Sequence, residues 1–186
     1  MLLLQGARLD EVWRESQNGI DFIRKIKFRD EDGILHCQQR FILTLLGEAG
    51  ANAGATVDQF RDQNFEAGLE TTRKACETGS RQYHLAFIAF LYWTLETQVQ
   101  YLFGDYHAAN CAAQKAKELF WSAEQDIVSV NYFYYTALTA TALYQTVDVP
   151  ERVEMLAMAQ ESLSWLREWA ESNPGTFLGS VCKSSM

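Results

Sequence analysis

The sequence predicts an all-α chain folded as a stack of antiparallel helical hairpins, and three observations carry that expectation. Apolar residues recur at intervals of three and four along most of the 186 residues, which is the period of a helix face and not the alternation of a strand. Only two prolines occur, Pro150 and Pro174, both late in the chain. Proline removes a backbone donor and clashes inside a helix, so its scarcity leaves room for long uninterrupted helices. Between Tyr92 and Ala123, finally, two helical patterns flank the turn Leu102-Phe103-Gly104-Asp105-Tyr106.

Taken in order, the elements are these. Met1-Leu2-Leu3-Leu4-Gln5-Gly6 reads as a last helical turn closed by glycine. Residues near 8–28 carry Leu9, Val12, Trp13, Ser16, Ile20 and Ile23 on one face. A charged turn, Arg29-Asp30-Glu31-Asp32-Gly33, precedes a second helix near 34–48. Gly47 to Ala55 is the most loop-like stretch, because glycine and asparagine tolerate positive φ. A short helix near 62–76 follows, and Thr78-Gly79-Ser80 stops it and restarts the chain, with Ser80 as a possible cap.

The helix near 80–103 is apolar on most sides through Leu85, Phe87, Ile88, Phe90, Leu91 and Trp93, as expected of a helix inside a stack. Its partner near 105–121 aligns Ala108, Ala112 and Ala116 with Ala109 and Ala113 beside them. Small side chains at that spacing let two helix axes approach closely. A third pair spans about 126–145 and 150–171, with Pro150 at a helix start and Val153, Leu156, Leu163 and Leu166 as the expected core line.

Within this layout Trp93 lies eleven residues before Gly104, Ala109 five after it and Ala116 twelve after it. Those offsets resemble a tetratricopeptide unit: an early aromatic, a glycine turn, then small residues. The expected architecture is therefore a tetratricopeptide-like right-handed array over residues 1–174, with an irregular tail over 175–186. Such units cannot bury their apolar faces alone, and their stacks make concave surfaces that hold other protein segments.

Composition bounds the function. The chain carries a net charge of −8 and a pI near 4.9, with 48% hydrophobic and 22% charged residues. That argues against nucleic acid, which requires a concentrated basic footprint. The nearest basic cluster, Arg24, Lys25, Lys27 and Arg29, reads as a complement to a helix C-terminus, as Asp10, Glu11 and Glu15 complement the start. Cys37, Cys76, Cys111 and Cys182 show no CxxC spacing and no signal peptide precedes them, so free thiols in a cytoplasmic protein are expected. The apolar run Leu85 to Trp93 is nine residues, far short of the roughly 20 that span a bilayer.

Chemistry-bearing motifs are missing. No G-x-x-x-x-G-K-[ST] follows Gly47, Gly50 or Gly54, so neither a phosphate loop nor a kinase site is expected. His36 and His84 lie in apolar helical patterns and His107 in a turn, which suits structural and solvated roles better than phosphotransfer. His36 and Cys37 are adjacent and point about 100° apart on a helix, a poor start for a shared metal site. Asp30, Glu31 and Asp32 read as a solvated turn. The expectation is a non-enzyme with no cofactor and no metal. The aromatic residues carry the remaining signal. Tyr101, Phe103 and Tyr106 flank the central turn, and Tyr132, Phe133, Tyr134 and Tyr135 form a run of four. Four consecutive helical residues face nearly every direction, so one at least must point away from the nearest neighbour helix. Tyr101, Tyr106, Tyr132 and Tyr135 are the candidate residues of a partner groove.

The blocks YLFGDYHAANCAAQKAKELFWSA, VNYFYYTALTATALY and LSWLREWAESNPGTFL, together with GARLDE and FRDQNFEA in the first third, occur in this order. They resemble the helical region of large bacterial trifunctional signalling proteins, in which a serine/threonine-kinase-like domain and an ATP-binding domain precede a helical array. A GAF domain and histidine kinase can follow it. The resemblance covers roughly residues 1–178. It departs at Gly179 to Met186, which has no helical period, so the chain reads as a fragment of a larger protein. The resemblance implies a signalling system; the positions that carry kinase or ATPase activity do not occur in this chain. The expected role is a non-catalytic scaffold or protein-interaction module. Its partners would be other domains of the same signalling protein or a recruited protein, with no nucleic acid and no membrane. The alternatives are a small-ligand sensor with an aromatic pocket between helices, and a degenerate fragment without present function.

Overall fold

Periodic apolar faces become helices wherever a neighbour can cover them. The computed structural model describes residues 7–26, 32–49, 66–67, 80–124 and 126–172. Six α-helices occupy those residues: α1 (Leu9–Ile26), α2 (Asp32–Ala49), α3 (Ser80–Leu102), α4 (Tyr106–Lys117), α5 (Val128–Tyr144) and α6 (Val149–Ser172). A single 3-10 turn, Phe120–Ser122, follows α4. Among the described residues the chain is all-α, without a strand. Glu66 and Ala67 are helical, but the rest of the expected helix near 62–76 lies outside the described residues, as do Met1 to Gly6, most of the 47–55 loop and the 175–186 tail.

Packing runs in sequence. α1 lies on α2, α2 on α3, and α3 on α4; α5 then contacts both members of the α3–α4 pair before α6 folds back along it. Short turns build the two later pairs. At the first, Gly104 adopts φ +85°, a conformation that disfavours any side chain. Asp105 then caps α4, its carboxylate accepting from the Ala108 amide at 2.9 Å. At the second, Asp148 accepts from the Glu151 amide at 3.2 Å. Pro150 sits beside that cap in the first turn of α6, where its missing amide costs no helical hydrogen bond.

Helix α3 is buried on two sides. Toward α4, α5 and α6, Ala86, Ala89 and Phe90 join Ala113, Ala116, Leu119, Tyr132, Phe133 and Leu166. Toward α2, Ile88, Leu91, Tyr92, Leu95 and Val99 join Cys37 and Phe41. A helix covered from both directions gains little from a polar face, and the first half of α3 is apolar on most sides; its second half buries Thr94, Glu96, Thr97 and Gln100, with the Gln100 amide donating to Glu96 Oε1 at 2.7 Å. Ala109, Ala112, Ala113 and Ala116 of α4 are all at most 3% exposed. Bare methyl groups there let α4 lie close against α3.

Three expectations need correction. Gly33 is no turn residue; it lies in the first turn of α2. A Cβ at that position would stand 2.8 Å from Ile88 Cδ1, so glycine serves the close approach of α2 to α3. The helix after the central turn stops at Lys117 and not near 121, because the chain tightens into the 3-10 turn that carries Phe120 into the core. The core line of α6 is also different. Met155, Met158, Ser162, Leu166 and Ala170 are buried, whereas Val153 and Leu156 are 68% and 48% exposed. Of the expected line only Leu166 is buried. Apolar residues cover more than one side of this helix, so its period fits two faces, and the position of α5 selects between them.

Candidate interaction surface

One face of the molecule gathers tyrosines from three helices. Tyr101 stands in the last turn of α3, Tyr106 in the first of α4, and Tyr134 and Tyr135 in the middle of α5. Tyr101 is the hub, its ring centroid 5.5 Å from that of Tyr106 and 5.7 Å from that of Tyr135. Tyr135 in turn stands 5.2 Å from Tyr134 with the rings nearly perpendicular. All four are half-buried. The Gly104 turn explains how Tyr101 and Tyr106 meet: it reverses the chain within a few residues. Tyr135 arrives because α5 crosses α3, and the Gln98 side-chain amide donates to its hydroxyl oxygen at 3.1 Å.

Burial pushes the Tyr101 phenol above its ordinary value, and the neighbouring phenols of Tyr106 and Tyr134 add to the effect. Tyr135 is raised for the same reasons, burial first, against a smaller opposing effect of the Gln98 hydrogen bond. Tyr101 and Tyr135 therefore keep their phenolic protons at neutral pH. The rim of this face is acidic at the turns: Asp105 and Asp148 are exposed. Tyr106 also packs against the cluster of Ala140, Leu143, Val147, Met155 and Met158, which places the α3–α4 and α5–α6 turns at one end of the stack.

Of the four residues expected to line a groove, Tyr101, Tyr106 and Tyr135 come together and Tyr132 does not. Tyr132 is 3% exposed and belongs to the interior, 5.4 Å from Phe90 and 4.9 Å from Phe133 between ring centroids. Burial, and then the charge of Glu161, push its phenol up. Two contributors were missed, Tyr134 and Gln98. The signal for the first was present: Tyr132, Thr136, Ala140 and Leu143 form a line of buried residues at helical spacing, and Tyr134 falls off that line.

A second aromatic group is structural. Phe133 stacks on Trp165 at 5.4 Å and 16°, with Phe120 and Trp169 against them. Trp93 is half-buried, touches both of the clusters packed around α3, and carries the Lys115 ammonium 3.8 Å from its ring centre. The remaining candidate chemistry is dispersed. Cys37 is buried, its thiol pushed up to about 12 by desolvation, while Cys111 is exposed; both are free. Cys76 and Cys182 lie outside the described residues. His36 and His84 are half-buried and His107 is exposed in the first turn of α4. No group of three metal-ligating side chains occurs among the described residues, and no helix among them is long and apolar enough to cross a membrane.

No family model, curated protein or solved structure matches this chain.

Proposed function

We propose that this chain is a non-catalytic helical interaction module, a tetratricopeptide-like stack that holds a protein segment on its tyrosine face. The supporting observation is the composition of that face. Tyr101, Tyr106, Tyr134 and Tyr135 come from three helices and remain half-buried; Tyr101 and Tyr135 lie outside the clusters that hold the helices together, while Tyr106 packs on the α5–α6 turn and Tyr134 against the core around Phe90 and Phe133. Tyrosine supplies large contact area at small entropic cost and is enriched where partners bind. The order of packing, with α5 resting on both α3 and α4, suits a stack that adds one hairpin to the last. Placement in a bacterial signalling protein, coupling or recruiting its other domains, rests on the sequence resemblance.

The test is site-specific photo-crosslinking in cells, with a benzophenone amino acid in place of Tyr101 and, as a control, in place of Gln160 on the far side of α6. A discrete adduct from position 101, mapped to one partner segment and lost with Tyr106→Ala, supports the reading. Equal labelling from both positions removes it. Calorimetric titration with Mg-ATP tests the non-catalytic part, for which no saturable heat is expected. Micromolar binding or self-phosphorylation at His36, His84 or His107 would overturn it.

A further inference from the structure

Aromatic rings in this molecule already hold cations in two places. Lys115 Nζ lies 3.8 Å from the centre of the Trp93 ring, and the Arg152 guanidinium carbon lies 5.8 Å from that of Tyr144. The face of an aromatic ring is negative and its edge positive, so a cation over the face is attracted, more strongly where water is partly excluded. The tyrosine face is the larger array of rings, yet no lysine or arginine of the described chain stands over Tyr101, Tyr106, Tyr134 or Tyr135. Its rings are also mutually tilted, at 47°, 64° and 88°. Two of the three contacts are edge-to-face, so the rings do not form one flat stack.

The charge around this face has a sign. Asp105, between Tyr101 and Tyr106 in the chain, is exposed; one of its carboxylate oxygens caps α4 at 2.9 Å. Asp148 and Glu151 are exposed at the neighbouring turn. The base at that turn, Arg152, is already engaged, donating to the Val147 carbonyl at 3.0 Å and facing Tyr144. The whole chain carries −8. Half-buried rings with Asp105 next to Tyr106 in the chain, and with Asp148 and Glu151 at the turn on which Tyr106 packs, complement a cationic side chain on a partner. A nucleic acid, with its phosphates, would meet repulsion here.

We propose that the tyrosine face of Tyr101, Tyr106, Tyr134 and Tyr135 is the docking site for an arginine- or lysine-bearing segment of a partner protein, the cation seated against the rings with Asp105 beside it. This rests on the interaction-module reading and adds the chemistry of the partner. The rings, and not their hydroxyls, carry the recognition, because the quadrupole survives removal of the oxygen.

That distinction makes the experiment. The full chain is titrated with a ten-residue peptide of alternating glycine and arginine, and separately with the same peptide carrying citrulline, the uncharged isostere. Tyrosine ring resonances and calorimetric heat are followed. The arginine peptide is expected to bind saturably with Tyr101 and Tyr135 signals shifting, and the citrulline peptide at least tenfold more weakly. Tyr101→Phe should leave affinity within about threefold. Tyr101→Leu should lower it at least tenfold, with helix content by circular dichroism confirming that the variant folds. Asp105→Asn should weaken binding less than Tyr101→Leu does. Equal affinity for arginine and citrulline peptides overturns the proposal. So does an unchanged affinity in Tyr101→Leu, which would mean that the acidic surface attracts the peptide without the rings. A crosslink from position 101 to a partner segment lacking lysine and arginine would sink the cation and leave the interaction surface standing. Absence of any position-specific crosslink would sink both.

Discussion

Tyr132 and Phe133 are followed in the chain by Tyr134 and Tyr135, and the two pairs meet opposite fates on one helix. The first pair enters the core against Phe90, Phe120 and Trp165. The second joins Tyr101 at the surface. Composition does not separate them, since three of the four are the same residue. Angle does: successive helical residues are turned by about 100°, and the buried residues of α5, among them Tyr132, Phe133, Thr136, Ala137 and Ala140, lie along one side. An aromatic run therefore divides between interior and surface, and angular position decides which residue goes where.

The strongest way to break this division is to truncate one ring from each side of it. Phe133→Ala should cost about 3–5 kcal/mol in reversible chemical denaturation, because the stacked Trp165 cannot fill the space. Tyr134→Ala should cost less, about 1–2 kcal/mol, because that ring is half-buried and only borders the same cluster. Equal losses would mean that the tyrosine face is part of the core and not a surface at all.

Trp93 sharpens the comparison, because it belongs to neither extreme. It bridges two core clusters but is half-buried, with Lys115 on one face. Trp93→Ala is expected to cost about 2–3 kcal/mol, below the range for a fully buried aromatic. A loss under about 1 kcal/mol would show that the ring merely caps the two clusters. Lys115→Met, measured in the same way, should cost about 0.5–1 kcal/mol if the cation contributes. The loss should vanish when Trp93 is already replaced, which is the double-mutant criterion.

The smallest expected effect is alkaline. Tyr101 and Tyr135 have folded phenols raised above their ordinary value near 10. The folded state thus holds its phenolic protons more tightly than the unfolded chain. That contribution is complete below about pH 10, and it is lost as pH rises through the raised folded values. Denaturation midpoints should fall more steeply above pH 10 in the parent than in Tyr135→Phe. Ultraviolet titration offers a sharper test: Gln98→Leu removes the donor to the Tyr135 oxygen and should raise that phenol further. A lowered or unchanged titration would show that this hydrogen bond does not favour the phenolate.

Much was legible without coordinates. The all-α class, the turn at Gly104 and the close-packed alanines of α4 follow from local rules: apolar period, positive φ at glycine, and the absence of bulk at Ala109, Ala112, Ala113 and Ala116. The meeting of Tyr101 with Tyr106 across that turn is local too. These features depend on residues a few positions apart, so one helix and its turn are enough to specify them; Tyr135 joins only because α5 crosses α3.

Other features were decided only when helices met. Val153 and Leu156 have the right period for a core line, yet Met155 and Met158 are buried, because α5 lies against that side. Gly33 reads as a turn residue until Ile88 of α3 arrives where its side chain would be. Tyr132 is interior and Tyr134 only half-buried, because two helical steps turn a side chain by about 200°. The reason is common to all three. Helical periodicity tells which residues share a face, but a helix apolar around much of its circumference offers several faces. The choice among them belongs to the neighbour that packs against the helix.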